Sequence, residues 1–294
     1  RSVGVTGVQT CALPISMGTA LVTGATSGIG LALAREIAVG QHDLVLVARD
    51  AERLAQVAHE LHQCAGVGVQ VLAADLSTAQ GRERVAERLR VSLPEGTRSS
   101  APAADRPHTE QEVAARPVDL LVNNAGFAVG QSFVGGDLAQ ERRALDVMVG
   151  SVLELTHAAV PGMVERGYGA VLNVASVTAL TAMGTYAAHK AWVRTFTEGL
   201  ASELRGTGVS ATVLNPGLTH SEFHSRAGID ERAWPEAVWL DADDVARQAL
   251  AAVRRGQVIC TPSVRYQVAN ALLRVSPRWF VRRVAGHATR RTRY

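Results

Sequence analysis

Lysine is almost missing from this chain: among 30 basic side chains Lys190 is the one lysine, and the other 29 are arginine. Aromatic residues are scarce at 4%, and the three cysteines, Cys11, Cys64 and Cys260, form no CxxC spacing. An odd, unspaced set of thiols excludes a disulfide framework and suits a reducing compartment. No clustered histidines, cysteines and acids mark a metal site. No uninterrupted apolar run reaches the roughly 18 residues of a spanning helix, and the first residues lack a basic segment leading into an apolar stretch. These absences predict a soluble, cytoplasmic protein.

Apolar residues make up 47% of the 294 and charged residues 19%, enough to bury one large core without staples. Charge is unevenly placed. Val245–Tyr294 holds eleven arginines and no acid, so a total of +3 leaves the rest of the chain at −8. Residues 1–16 show neither helical nor strand periodicity. They are read as a non-native leader before Met17, with Val5–Ile15 resembling the translation of a sequencing-library adapter.

From Thr19 short apolar runs alternate with helical stretches, the punctuation of βαβ units and a parallel sheet. Strands are expected at 19–23, 43–48, 69–76, 118–126, 169–176, 209–217 and 257–261. Helices are expected at 28–39, 51–65, 79–91, 137–166, 186–205 and 243–255. Residues 92–117, rich in Pro, Ser and Ala, are read as a surface insertion. The fold class is α/β, a single Rossmann-type doubly wound parallel sheet with helices on both faces over 17–261, followed by a basic tail, 262–294.

Between the first strand and first helix stands Thr23-Gly24-Ala25-Thr26-Ser27-Gly28-Ile29-Gly30. Gly24 permits the tight turn, Gly28 lets backbone approach a pyrophosphate, and Gly30 allows close helix packing, while the helix N-terminus offers free N–H groups to an anion. About 20 residues beyond the glycines an NAD-type fold places an acid for the ribose 2′-hydroxyl. Here the strand ends Val47-Ala48-Arg49, whose planar fork fits a 2′-phosphate and argues for NADP(H), although Asp50 follows at once and Arg49 could instead be a surface arginine opening the next helix.

Tyr186 and Lys190, four apart at a helix start, share one face. An ammonium beside a phenol favours phenolate, which would lower the tyrosine pKa and ready it for acid–base work. YxxxK alone is a weak pattern, but a solvated cation in this chain is arginine everywhere else, so the lysine at 190 points to a specific role. Ser176, ending the fifth expected strand, could donate to a substrate oxygen.

With these motifs in this order, the chain resembles the short-chain dehydrogenase/reductase family from Met17 to about Thr261. The resemblance implies that a dinucleotide lies against Thr23, Gly24, Ser27, Gly28, Ile29 and Gly30, with Arg49 at the adenosine ribose and Asp75-Leu76 at the adenine. It places Asn124, Ala125 and Gly126, which follow Asn123, in the cofactor floor, and Tyr186 and Lys190 at the nicotinamide ribose. Pro216, Gly217 and Thr219, in the segment opened by Asn215, take the nicotinamide side. It implies a catalytic set of Ser176 polarising a carbonyl, Tyr186 moving the proton and Lys190 tuning Tyr186. It also implies a homodimer or homotetramer built on the two long helices.

Two features depart from the family pattern. The long central helix reads Leu145-Asp146-Val147-Met148-Val149 where the family carries an asparagine that organises a water relay, and Met148 cannot make that residue's hydrogen bonds. Residues 177–185 form a loop a few residues shorter than usual, which should open the substrate pocket. Phe223, Ile229, Trp234 and Trp239 follow in the segment where the family carries its lid, and as a set they suggest an apolar small-molecule substrate. His189 and His220 have no matched acid or ligand set and receive no role.

The expected function is an NADP-dependent oxidoreductase interconverting a carbonyl and an alcohol. A reading from another class, a nucleotide-binding sensor or scaffold of the same fold, rests on Met148. The tail from Arg274 onward combines seven arginines with Trp279-Phe280-Val281, a composition compatible with an anionic membrane surface, with a solvated terminus, or with packing on another subunit. No nucleic-acid recognition motif accompanies it.

Overall fold

The computed structural model describes residues 18–92, 108–220 and 235–288, with side chains to residue 283. The expected leader, most of the insertion, and Phe223, Ile229 and Trp234 lie outside the described residues.

Seven parallel strands form one sheet: β1 (Thr19–Thr23), β2 (Asp43–Ala48), β3 (Val69–Ala73), β4 (Val118–Asn123), β5 (Gly169–Val174), β6 (Val209–Leu214) and β7 (Ile259–Cys260), in the order β3-β2-β1-β4-β5-β6-β7. Helices cover both faces, which is why the strands read as near-continuous apolar runs instead of alternating ones. In β1 the pleat divides the core: Ala20 and Val22 join the layer packed by α1 (Gly28–Val39) and α2 (Ala51–Ala65), while Leu21 joins the layer packed by α3 (Ala79–Leu89). Complete burial of a leucine such as Leu21 or Leu33 contributes about 1.5–3 kcal/mol. The strand order reverses between β1 and β4, and a crevice forms outside the carboxyl ends there.

Most expected elements stand within one to three residues, with β3, β4 and β6 each ending three residues early, and four further differences stand out. The insertion holds a short helix, α4 (Glu110–Ala114), closed by a capping box in which Thr109 and Glu112 exchange hydrogen bonds. The single helix expected over 137–166 is α5 (Leu138–Leu145), a π turn at Asp146–Gly150 and α6 (Ser151–Arg166). By length and composition Leu138–Arg166 could cross a membrane, but half of its apolar window is buried in this fold. The long helix α7 (Gly184–Glu203) is followed by β6, α8 (Ala242–Arg254) and a β7 of only two residues, Ile259 and Cys260, paired with Val213 and Leu214.

The fourth difference is the tail. Beyond Thr261 the chain continues as α9 (Val264–Val275) and α10 (Arg278–Ala288), held to the body by Tyr266, by buried Asn270, whose Nδ2 donates to Thr261 Oγ1 at 3.3 Å, and by buried Val281. The boundary expected at Thr261 therefore does not separate a folded body from a tail.

Candidate active site

The turn after β1 is shaped for an anion. Gly24 and Gly28 adopt φ of +68° and +53°, and a Cβ on Gly30 would lie 2.2 Å from the Gly24 carbonyl oxygen, so no side chain fits there. Ser27 occupies the N-cap of α1 but makes no side-chain cap, which leaves first-turn N–H groups for a ligand. Ile29 is half-buried against the core. Thr23 Oγ1 accepts from the Asn124 and Ala125 amides at 2.9 and 3.1 Å, and Asn124 Nδ2 donates to the carbonyls of Thr23 and Gly24. Asn124 and Ala125 thus staple β4 to the glycine turn and hold its shape. Beneath them Asn123 donates to Thr156 and Asn173, and Asn173 to Thr197, a buried polar ladder tying β4 and β5 to α6 and α7.

At the end of β2 Arg49 is exposed, and Asp50 is engaged elsewhere: its carboxylate accepts from the Arg53 amide at 2.9 Å as the N-cap of α2. The acid that follows Arg49 is therefore spent on a helix start. Across the crevice Asp75 accepts from the Ser77 amide and hydroxyl and from Arg143 at 3.2 Å. Partial burial works to raise its pKa, but those hydrogen bonds and the fields of Arg143 and Arg49 outweigh it and hold the carboxyl below its ordinary value. Leu76 is buried, and its carbonyl accepts from Arg82.

Ser176, Tyr186 and Lys190 meet at the far end of the crevice. Ser176 caps a 3₁₀ turn at Val177–Leu180, where its Oγ accepts from the Thr178 amide, and it hydrogen-bonds the Tyr186 phenol. Lys190, one turn further along α7, is buried; its Nζ donates to the Val174 carbonyl at 2.8 Å and stands 5.8 Å from the Tyr186 ring centre. Burial dominates the electrostatics. It lowers the Lys190 pKa to about 8, and it raises that of Tyr186 above the ordinary phenol value against the opposing Ser176 hydrogen bond. The expected lowering of Tyr186 by its neighbour is thus reversed: the phenol stays protonated at neutral pH, poised as an acid. Next to Lys190, His189 is buried and its pKa is lowered, first by burial.

The π turn carries Met148 inward. It is 1% exposed, and a Cβ on Gly126 would lie 3.3–3.4 Å from Met148 Cγ and Sδ and from Lys190 Nζ. The thioether therefore occupies the space in front of Gly126 beside the ammonium. An asparagine at 148 would bring an acceptor toward Lys190, but in a fully buried place it costs about 1–3 kcal/mol, more than the helix-propensity cost alone. Met148→Asn is expected to lower the melting temperature and to keep or raise turnover per folded molecule, read by thermal unfolding beside steady-state kinetics. Folded but inactive protein would show that Met148 serves the site by packing.

In the loop expected to take the nicotinamide, the Pro216 carbonyl accepts from Val177, and the buried Thr219 hydroxyl donates to the Gly217 carbonyl at 3.1 Å, so Thr219 braces the loop. Tyr266 is the residue that sequence reasoning missed. Its hydroxyl accepts from the Leu218 amide and donates to the Val238 carbonyl at 2.9 Å, and its ring lies where a Cβ on Gly217 would be, 2.1 Å away. Val264, Val268, Leu272 and Val275, spaced at i, i+4, i+8 and i+11, were the available signal for the helix that carries it. Trp239 is buried and stacks on His220 at 4.8 Å, and His220 pairs with Glu236. Both side-chain polar atoms of buried Asn215 lack a hydrogen-bond partner among the described residues. An uncapped helix start, a cradle closed to any Cβ, and an orphaned amide beside the nicotinamide loop fit a dinucleotide.

This site, at the switch point of a doubly wound sheet, defines a nucleotide-dependent oxidoreductase. The short chain dehydrogenase family model matches residues 18–95 and 104–232, and the chain belongs to that family. A sulfoacetaldehyde reductase of Chromohalobacter salexigens is 35% identical over 236 residues, 77% of this chain and 84% of the relative. An NADP-dependent 3-hydroxy acid dehydrogenase of Salmonella typhimurium is 34% identical over 221 residues, 72% of this chain and 78% of the relative. Among solved structures, a short-chain dehydrogenase from Sphingobium yanoikuyae in complex with NADPH matches with a TM-score of 0.73 at 31% identity, covering 87% of this chain and 94% of that one.

Proposed function

We propose that this oxidoreductase uses NADP(H) to interconvert a ketone or aldehyde and an alcohol on a small molecule with an apolar body. The observation that carries the reaction is the meeting of Ser176, Tyr186 and Lys190 at one end of the dinucleotide crevice. When bound, the nicotinamide supplies or accepts the hydride. Ser176 hydrogen-bonds the carbonyl oxygen; Tyr186 gives that oxygen its phenolic proton in reduction and takes it back in oxidation. Lys190 holds positive charge beside the phenol, and Thr23, Gly24, Ser27, Gly28, Ile29 and Gly30 receive the pyrophosphate. Asn124, Ala125, Gly126, Asp75, Leu76, Pro216, Gly217 and Thr219 shape the rest of the cleft. These proton-transfer groups favour an enzyme over a nucleotide sensor.

Exposed Arg49, with Asp50 spent on a cap, supports the phosphorylated cofactor. Arg49→Ala removes a charge-assisted phosphate contact worth about 1.5–3 kcal/mol, so NADPH binding should weaken by about tenfold or more while NADH binding barely changes. Titration by cofactor fluorescence decides it, and equal affinity of the unmodified protein for both cofactors would overturn the assignment. A panel of carbonyl compounds, followed by cofactor absorbance, tests the reaction itself.

Trp239 beside the nicotinamide loop supports an apolar substrate body. Exposed Leu145 and Leu153, on α5 and α6, together with the stacked Trp192 and Phe196 of α7, support assembly as a homodimer or homotetramer through the long helices. The exposed free thiol of Cys64 fits a reducing, cytoplasmic setting.

A further inference from the structure

Helix α9 is amphipathic the wrong way round. α8 buries Val245, Ala246, Ala249, Leu250, Ala252 and Val253 against the body, as a surface helix should. α9 buries only Asn270 and turns Tyr266 and Leu273 inward, while Val264, Val268, Leu272 and Val275 form one row facing solvent, 55–81% exposed. At the start of the next helix Trp279 is 62% exposed, and its ring meets that of Phe280 edge-on at 5.9 Å. Scattered surface leucines need no explanation, but a continuous apolar stripe does.

The charge around the row says what covers it. Arg265 and Arg274 lie on either side of it along α9, and Arg278 and Arg282 continue the basic rim, all exposed. No acid occurs from Val245 to Tyr294, and Glu236, in the segment α9 packs on, is paired with His220. A second copy seated on this face about a two-fold axis would set these arginines against themselves. A nucleic acid would use the arginines and leave the apolar row in water. An apolar row with an aromatic at one end and a cationic rim matches a bilayer interface bearing anionic headgroups.

We propose that the outer face of α9 and the start of α10 docks the protein on an anionic lipid surface. The face borders the site: Arg278 Nη1 donates to the carbonyl of Leu180, in the turn capped by Ser176, and Tyr266 on the opposite side of α9 holds the nicotinamide loop. Docking would present the substrate side of the crevice toward the lipid, within reach of apolar carbonyl compounds dissolved there.

The test is co-sedimentation of the full chain with phosphatidylcholine vesicles, with and without phosphatidylglycerol, beside the double variant Val268→Asp, Leu272→Asp. Both positions point into solvent, so reduction of a water-soluble carbonyl and the thermal unfolding temperature should stay unchanged. The unmodified protein is expected to sediment with phosphatidylglycerol vesicles, less so at high salt, and the variant to lose about tenfold or more of that binding. Equal sedimentation of both proteins, or indifference to phosphatidylglycerol, overturns the proposal. So does a change of oligomeric state by light scattering in the variant without vesicle binding by the parent, which would assign the face to a second copy.

Discussion

Carbonyl reduction is expected to fall by about 10²-fold or more in Tyr186→Phe, with NADPH binding nearly unchanged. The substitution keeps the ring and removes the proton that Tyr186 would give to the substrate oxygen. Since burial holds the phenol protonated at neutral pH, its hydroxyl is ready for reduction without prior protonation. Stopped-flow mixing of the enzyme–NADPH complex with substrate separates binding from chemistry. Unchanged single-turnover reduction by Tyr186→Phe would move the acid to another group.

Lys190→Arg is expected to lose a similar factor, for a reason of shape as much as charge. The ammonium sits buried between the Val174 carbonyl, Gly126 and Met148, a space matched to a compact head, whereas a guanidinium is planar and larger and must displace its neighbours. The unmodified enzyme should also report this lysine in its pH profile. Burial lowers the Lys190 pKa to about 8, so the ammonium is present below that pH and lost above it, and reductive kcat/KM should decline as pH rises through about 8. That step should vanish from the residual activity of Lys190→Arg, because arginine stays charged. A fully active variant would show that lysine at 190 is incidental.

Much of this site is legible in the primary structure because its chemistry is local. The glycine turn needs residues without a side chain at fixed spacing, and Tyr186 and Lys190 need a single helical turn, so each announces itself within eight residues. α1 and α2 stand over the expected residues because each buries a periodic apolar face, and Asp50 marks the start of α2. What stayed hidden depends on tertiary context. The π turn at Asp146–Gly150 keeps the chain helical across a single Asp and Gly that sit as readily in an α-helix, and the shift of Tyr186 reflects burial, which no spacing reveals. The apolar row of α9 was readable as a helical period, but not that this row faces outward while a tyrosine hydroxyl and an amide make the inward contacts. The Thr109-to-Glu112 capping box, by contrast, was readable and marks α4 inside a segment that composition alone makes look irregular.

The tyrosine that joins α9 to the Gly217–Leu218 loop makes two distant stretches of chain one cooperative unit. The Leu218 carbonyl accepts from Leu240, whose own carbonyl accepts from His220, so the loop, the 235–240 segment and α9 share hydrogen bonds that break together. Local opening of the Gly217–Leu218 loop must therefore break the Tyr266 hydrogen bonds along with the loop's own.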